Sequence, residues 1–233
     1  DRHPGERDLQ LRLGEQMLIA GRRVEGREIV ADSVNLASSG RNHTDQVTMM
    51  ILDAAVHGSV SDREETRRFV ANLSATHAIE SWEHLDLVWF FFQGKWDDQR
   101  VLGIDTGTVH RWLRVLQEWA RFEVEGDVER ALERASELEE TDEIRELANV
   151  LEARVRLWAG NPEAACQLAD TTLRNLEAEC RIDYQACAWV PLAEWVSGRA
   201  LSEIEGREAE AGAMLARAAE HAPGTFIARP VTP

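Results

Sequence analysis

Lysine is almost missing from this sequence: Lys95 stands alone against 25 Arg. With 42 Asp and Glu, the 233-residue chain carries a formal net charge of −16, and no basic cluster offsets it. Nucleic-acid affinity comes from cations that neutralise phosphates, so this chain is not expected to bind DNA or RNA directly. Long apolar runs are missing too. None approaches the roughly 20 residues that span a bilayer, so no membrane insertion is expected. The N-terminal "DRHPGERDLQ" lacks the apolar stretch of a signal peptide. Cysteine is scarce and odd in number, with Cys166, Cys180 and Cys187 and no C-x-x-C pair. A reduced, cytoplasmic chain is the simplest expectation, with Cys180 and Cys187 packed on one helix face rather than joined. The motifs of catalysis are also lacking. There is no G-x-S-x-G turn and no G-x-x-x-x-G-K-[ST] phosphate loop. No enzymatic activity, cofactor or metal is expected. Apolar residues nowhere alternate with period two, which argues against strands.

What is present is helical spacing. Leu9, Leu11, Leu13, Met17 and Leu18 precede Gly21; Val24, Ile29, Val30, Val34 and Ala37 follow it. Both stretches show the 3–4 residue recurrence of an amphipathic helix. "DVERALERASELEE" and "AEAGAMLARAAEHA" consist of strong helix formers. Helix breaks recur at Gly21, Gly58, Gly94, Gly126, Gly160 and Gly206, at intervals of 37, 36, 32, 34 and 46 residues. Glycine ends a helix at little cost because it accepts positive φ. Start signals follow several breaks. Asn161-Pro162 reads as an N-cap with a first-turn proline, Ser61 to Glu64 as a capping box, and Thr141-Asp142-Glu143 as an acidic first turn. The longest interval suggests an insertion around "AECRIDYQACAW", with Pro191 starting or kinking a helix.

A helix–turn–helix unit repeated at about 34 residues has tetratricopeptide spacing. The expected fold is all-α: a right-handed α-solenoid of about six tetratricopeptide-like helix pairs, forming a single repeat domain over 1–233. Sub-blocks 8–93 and 108–223 would flank an irregular segment, 94–107. The residues resemble that family unevenly. Leu13-Gly14, Met17, Gly21, Gly26, Val30 and Ser33 fit it, as do Trp195, Gly206, Ala211, Leu215, Ala218 and Pro223. Ala131 and Ala135 follow Gly126, and Ala165 and Ala169 follow Gly160. Residues 58–72 depart from the pattern, with Arg and Glu where small residues belong. The two ends, "LQLRLGEQMLIAGRRVEGREIVADSVNLASSG" and "GRALSEIEGREAEAGAMLARAAEHAPGTFIARP", resemble the sensor repeats of large bacterial LuxR-type, signal-transducing ATPase regulators. That resemblance implies a sensor that binds a protein or peptide partner, or a small-molecule inducer.

Three of the eight Trp and three of the six Phe lie between Trp82 and Trp96. Trp82, Leu85, Trp89, Phe92 and Trp96 fall 3–4 residues apart, as one helix stripe. Core packing explains such a stripe; a ligand groove is the sharper alternative. Trp112 and Trp119 form a second stripe seven residues apart. In a solenoid, Trp89, Trp96, Trp112 and Trp119 would converge on one concave face. Arg111, Arg114 and Arg121 interleave with them and suit an acidic peptide or a carboxylate; the Arg could equally pair with Glu118, Glu123 and Glu125. The candidate binding residues are therefore Trp89, Trp96, Arg111, Trp112, Arg114 and Trp119. His77, Glu80 and His84 share a helix face but have no second ligand cluster, so metal binding is not expected. A scaffold that associates with itself or with other subunits is the alternative function, and an all-α enzyme or metal protein a more distant one.

Overall fold

The computed structural model describes residues 4–35, 43–76, 83–103, 111–141 and 144–229. Among them the chain is all-helical, with no strand. Twelve α-helices follow in order: α1 (Pro4–Ile19), α2 (Arg23–Asn35), α3 (His43–Val56), α4 (Val60–Thr76), α5 (Glu83–Phe92), α6 (Gln99–Leu102), α7 (Arg111–Glu125), α8 (Val128–Glu139), α9 (Arg145–Trp158), α10 (Pro162–Glu179), α11 (Tyr184–Leu201) and α12 (Glu208–His221). A 3-10 turn, Phe226–Ala228, closes the described chain. Among the described residues no helix is long and apolar enough to cross a membrane.

Each of the six break glycines lies between two helices. Five of them adopt positive φ, from 66° at Gly94 to 80° at Gly206. Gly58 does not, and is required for a different reason. A Cβ there would stand 2.5 Å from the carbonyl oxygen of Ala54. The small residues expected on second helices also appear where backbones approach. A Cβ on Gly26 would lie 2.8 Å from the Leu18 side chain and 3.0 Å from the Gly14 oxygen, so α2 meets α1 closely. Ala131, Ala135, Ala165, Ala169, Ala211 and Ala218 are all buried.

Consecutive helices pack on one another except at the step from α4 to α5, and α3, α5, α7, α9 and α11 also pack in succession. In a simple repeat array each unit touches only its neighbours. Here α11 also packs on α1 and α3, so the last helix pair returns to the first two. One main core results, running from Leu18 on α1 to Ile227 in the final turn. Phe226 is a hub within it. It lies edge-on to Phe91, Trp96 and Trp195 at 5.8, 5.2 and 5.3 Å and stacks on Phe92 at 6.5 Å.

Several local expectations change. Cys180 and Cys187 are joined in a disulfide, and Cys166 is the free thiol. The two cysteines do not share one helix. α10 ends at Glu179, Asp183 caps α11, and the turn between them brings the two Cα atoms to 4.7 Å. The expectation of a reduced chain is corrected, and the cysteine argument for the cytoplasm goes with it. The capping interaction of α4 sits two residues earlier than expected. The Ser59 N–H and hydroxyl both donate to Asp62 Oδ2, at 2.8 and 2.7 Å. The 46-residue interval is filled by two 18-residue helices, α10 and α11, with Pro191 inside α11. Asn161 caps α10 as expected, its side chain accepting from the Ala164 N–H at 3.3 Å. Of the irregular segment, 99–102 form a four-residue helix, α6, capped by Asp98, and 104–107 lie outside the described residues. His77, Glu80, Trp82, Asp142 and Glu143 also lie outside them, as does the side chain of His84.

Candidate functional site

The six residues singled out by sequence do not share one environment. Trp119 is fully buried; its indole N–H donates to Glu123 Oε1 at 3.0 Å, and Arg154 grips both oxygens of that carboxylate at 2.8 and 2.9 Å. Trp112 is buried against Trp189 of α11, with ring centroids 5.4 Å apart. Trp96 is half-buried on Phe226. Its indole nitrogen is shielded from solvent without a hydrogen-bond partner among the described residues. Trp89 is buried and, with Arg63, Arg67, Asp86 and Phe90, borders a cavity of about 90 Å³. Arg111 and Arg114 are exposed. Nearby, Arg121 pairs with Glu118 at 2.5 Å, one of the pairings the sequence left open. The indoles of Trp112 and Trp119 thus belong to the core: Trp189 of α11 covers the first, and Phe91 of α5 lies edge-on to the second at 5.7 Å.

A larger cavity, of about 180 Å³, opens between α2, α3 and α4. Val24, Ala31, Met50 and Phe69 supply its apolar lining, and Arg27, Glu28, Asp62, Glu65 and Thr66 its polar one. Helix packing explains why there is space. α2 presents Gly26 to α1, whereas the side of α4 facing this gap carries Asp62, Glu65, Thr66 and Phe69. Bulk on α4 prevents the close approach that small residues allow elsewhere. Arg27 crosses the cavity edge. It donates to Asp62 Oδ1 at 2.9 Å and lies 3.4 Å from Asp53 Oδ2.

Behind this edge lies a buried polar junction between the first and last helix pairs. Asp53 is inaccessible to solvent; Tyr184 of α11 donates its O–H to Oδ1 at 2.6 Å, and Arg23 donates to the same oxygen at 2.9 Å. Burial pushes the Asp53 carboxyl above its ordinary range and holds the Tyr184 phenol well above its own. Just past the end of α3, the His57 Nδ1 lies 2.5 Å from the His221 carbonyl oxygen. A carbonyl can only accept, so Nδ1 carries the proton and Nε2 is bare. Burial, reinforced by the nearby Arg23 cation, lowers the His57 pKa to about 3, so the ring is neutral. His221 has the opposite bias. Its Nδ1 contacts Glu194 Oε2 at 2.8 Å, and this hydrogen bond raises its pKa. Arg217 also reaches Glu194, at 2.6 Å.

The free thiol has no activated nucleophile's environment. Burial, followed by the neighbouring Asp170 carboxylate, pushes Cys166 up to about 11. The thiolate is therefore scarce near neutral pH. Sequence reading missed Arg27, Asp62, Glu65, Thr66 and Phe69. The one available signal was the poor fit of residues 58–72 to the repeat pattern. Compared with protein families, curated proteins and solved structures, the chain gives no match.

Proposed function

We propose that this chain is a non-catalytic binding domain of tetratricopeptide-like helix pairs, acting as the sensor part of a bacterial LuxR-type, signal-transducing ATPase regulator. Its ligand is a small-molecule inducer or a segment of a protein partner. The cavity between α2, α3 and α4 is the observation that carries the binding reading: a recess of about 180 Å³ with an apolar floor and a polar rim. Ligand sites combine apolar lining with a few placed polar groups. The paired-helix order around six glycines, with Gly and Ala at the crossings, supports the repeat reading and a short solenoid. In this reading the contact of α11 with α1 and α3 closes the solenoid, and Trp189 of α11 occupies the space before Trp112. This assigns recognition to the N-terminal pairs rather than to the stripe of Trp89, Trp96, Trp112 and Trp119.

A ligand that binds only the folded state raises its melting temperature by mass action. A thermal-shift screen with small cations, anions, neutral amphiphiles and short peptides is expected to yield at least one saturable stabiliser. No shift from any class at millimolar concentration would remove the binding reading. The sensor reading expects the surrounding open reading frame to encode a P-loop ATPase module before Asp1 and a DNA-binding module after Pro233. A frame without either leaves no basis for it.

A second reading, association with another helical unit, is favoured by the outer surface of α1. Leu9 and Leu13 are 69% and 49% exposed and lie one helical turn apart. Sedimentation of wild type and Leu9→Glu/Leu13→Glu tests it: a dimer lost on substitution is expected, and a wild-type monomer at all concentrations contradicts it.

A further inference from the structure

We propose that the cavity between α2, α3 and α4 takes a small organic cation, a protonated amine on a short apolar body. This rests on reading the chain as a binding domain and specifies the ligand class. Four charged residues line the cavity: Arg27 against Glu28, Asp62 and Glu65, giving +1 − 3 = −2. The single cation is already engaged. Arg27 Nη2 holds Asp62 and its Nε faces the Arg23 carbonyl and Asp53, so an incoming anion would have to displace existing partners. Asp62 is also committed, to Ser59 as well as Arg27. Glu28 and Glu65 are different. Both are exposed at the rim, and neither forms an ion pair or side-chain hydrogen bond among the described residues. They form the uncompensated negative part of the wall.

Thr66 is an independent pointer to a polar ligand. It is 4% exposed, lines the cavity, and makes no side-chain hydrogen bond among the described residues. With no protein partner to displace, its hydroxyl is open to an N–H donated by a ligand in the cavity. Met50 and Phe69 provide the apolar floor, and a cation beside the Phe69 ring gains further attraction. The volume, about 180 Å³, is below the roughly 300 Å³ at which sites for drug-sized ligands begin. A small free amine therefore fits, and a bulky ligand does not.

The test is a heteronuclear NMR titration of the whole chain with n-pentylammonium, hexanoate and 1-hexanol, probes of similar length and different charge. The amine is expected to bind and shift the Met50 methyl and the amides of Glu65 to Phe69. Glu28→Gln/Glu65→Gln is expected to weaken it about tenfold, a gap that narrows in high salt. Thr66→Val is expected to weaken it about threefold. Both glutamates are exposed, so the double variant should keep the wild-type spectrum elsewhere. Hexanoate or hexanol binding as tightly as the amine overturns the proposal, as does an unchanged affinity in the double variant. No binding of the amine at this cavity overturns it too. A stabiliser of another class found in the thermal-shift screen would then still uphold the broader binding reading, so the two failures are distinct.

Discussion

At the scale of single residues, burial decides which ionisable groups respond to pH. His57 goes from an ordinary value of 6.5 to about 3 on folding, because its neutral ring is enclosed. Between those values the unfolded chain binds a proton that the folded chain does not. The His57 contribution to stability is therefore full above pH ~6.5 and is lost as pH falls toward ~3. At about 1.4 kcal/mol per unit, some 2 kcal/mol is gone by about pH 5. His221 works in the other direction. Its raised pKa makes its contribution full below pH ~6.5 and lost as pH rises through the raised value. His57→Asn keeps a donor close to the Nδ1 position without a titrating ring. Urea unfolding at pH 7 and pH 5 should show the acid loss reduced by about 2 kcal/mol in this variant. An unchanged acid limb would mean that His57 is not the group responsible.

At the scale of elements, the turn glycines separate into two kinds, and substitution tells them apart. Gly126 has φ 69° and no atom near its missing Cβ, so Gly126→Ala meets only the backbone cost of about 1–2 kcal/mol. Gly58→Ala places a methyl 2.5 Å from a helix carbonyl, and backbone must shift. Urea unfolding should find Gly58→Ala the more destabilising; the reverse order would contradict the close approach of Gly58 to the last turn of α3. The α10–α11 turn has its own restraint, the Cys180–Cys187 disulfide. It encloses Tyr184, whose hydroxyl reaches across to Asp53. Closing so short a loop is worth about 2 kcal/mol through the unfolded chain. Cys180→Ser/Cys187→Ser should lose about that much by urea unfolding, and a stability equal to wild type would show that the crosslink restrains nothing.

At the scale of the whole molecule, a few long-range contacts turn a row of helix pairs into a closed unit. Arg63 of α4 is one of them. Its Nε donates to the Ala54 carbonyl at 3.1 Å, and its two terminal nitrogens donate to Gly224 and Pro223 at 3.0 and 3.1 Å. Arg63→Ala abandons three carbonyls at once, the buried one of Ala54 among them, and a loss of about 2 kcal/mol follows. Hydrogen exchange should accelerate at 224–229 and in α4 more than in α8 to α10. Uniform acceleration would show that the contact does not hold the C-terminal turn in particular. The same closure buries Phe226 among Phe91, Phe92, Trp96 and Trp195, residues contributed by both halves of the chain.

What was legible beforehand follows from the range of each interaction. Helical periodicity, the break glycines and the Asn161 cap depend on neighbours within a few residues, so the amino-acid order alone determined an all-helical chain broken where Gly21, Gly94, Gly126, Gly160 and Gly206 stand. The aromatic stripe was legible as a stripe, but its partner was not. Whether Trp112 faces a groove or a core depends on Trp189, 77 residues away in sequence, and periodicity carries no information about that pairing. The disulfide likewise depended on a turn that reorients two side chains. The cavity needed most from the tertiary structure. Its lining residues are ordinary ones on three helices, and only the spacing of α4 from α2 and α3 makes them a site, because Asp62, Glu65, Thr66 and Phe69 stand where alanines and glycines would have let the backbones close.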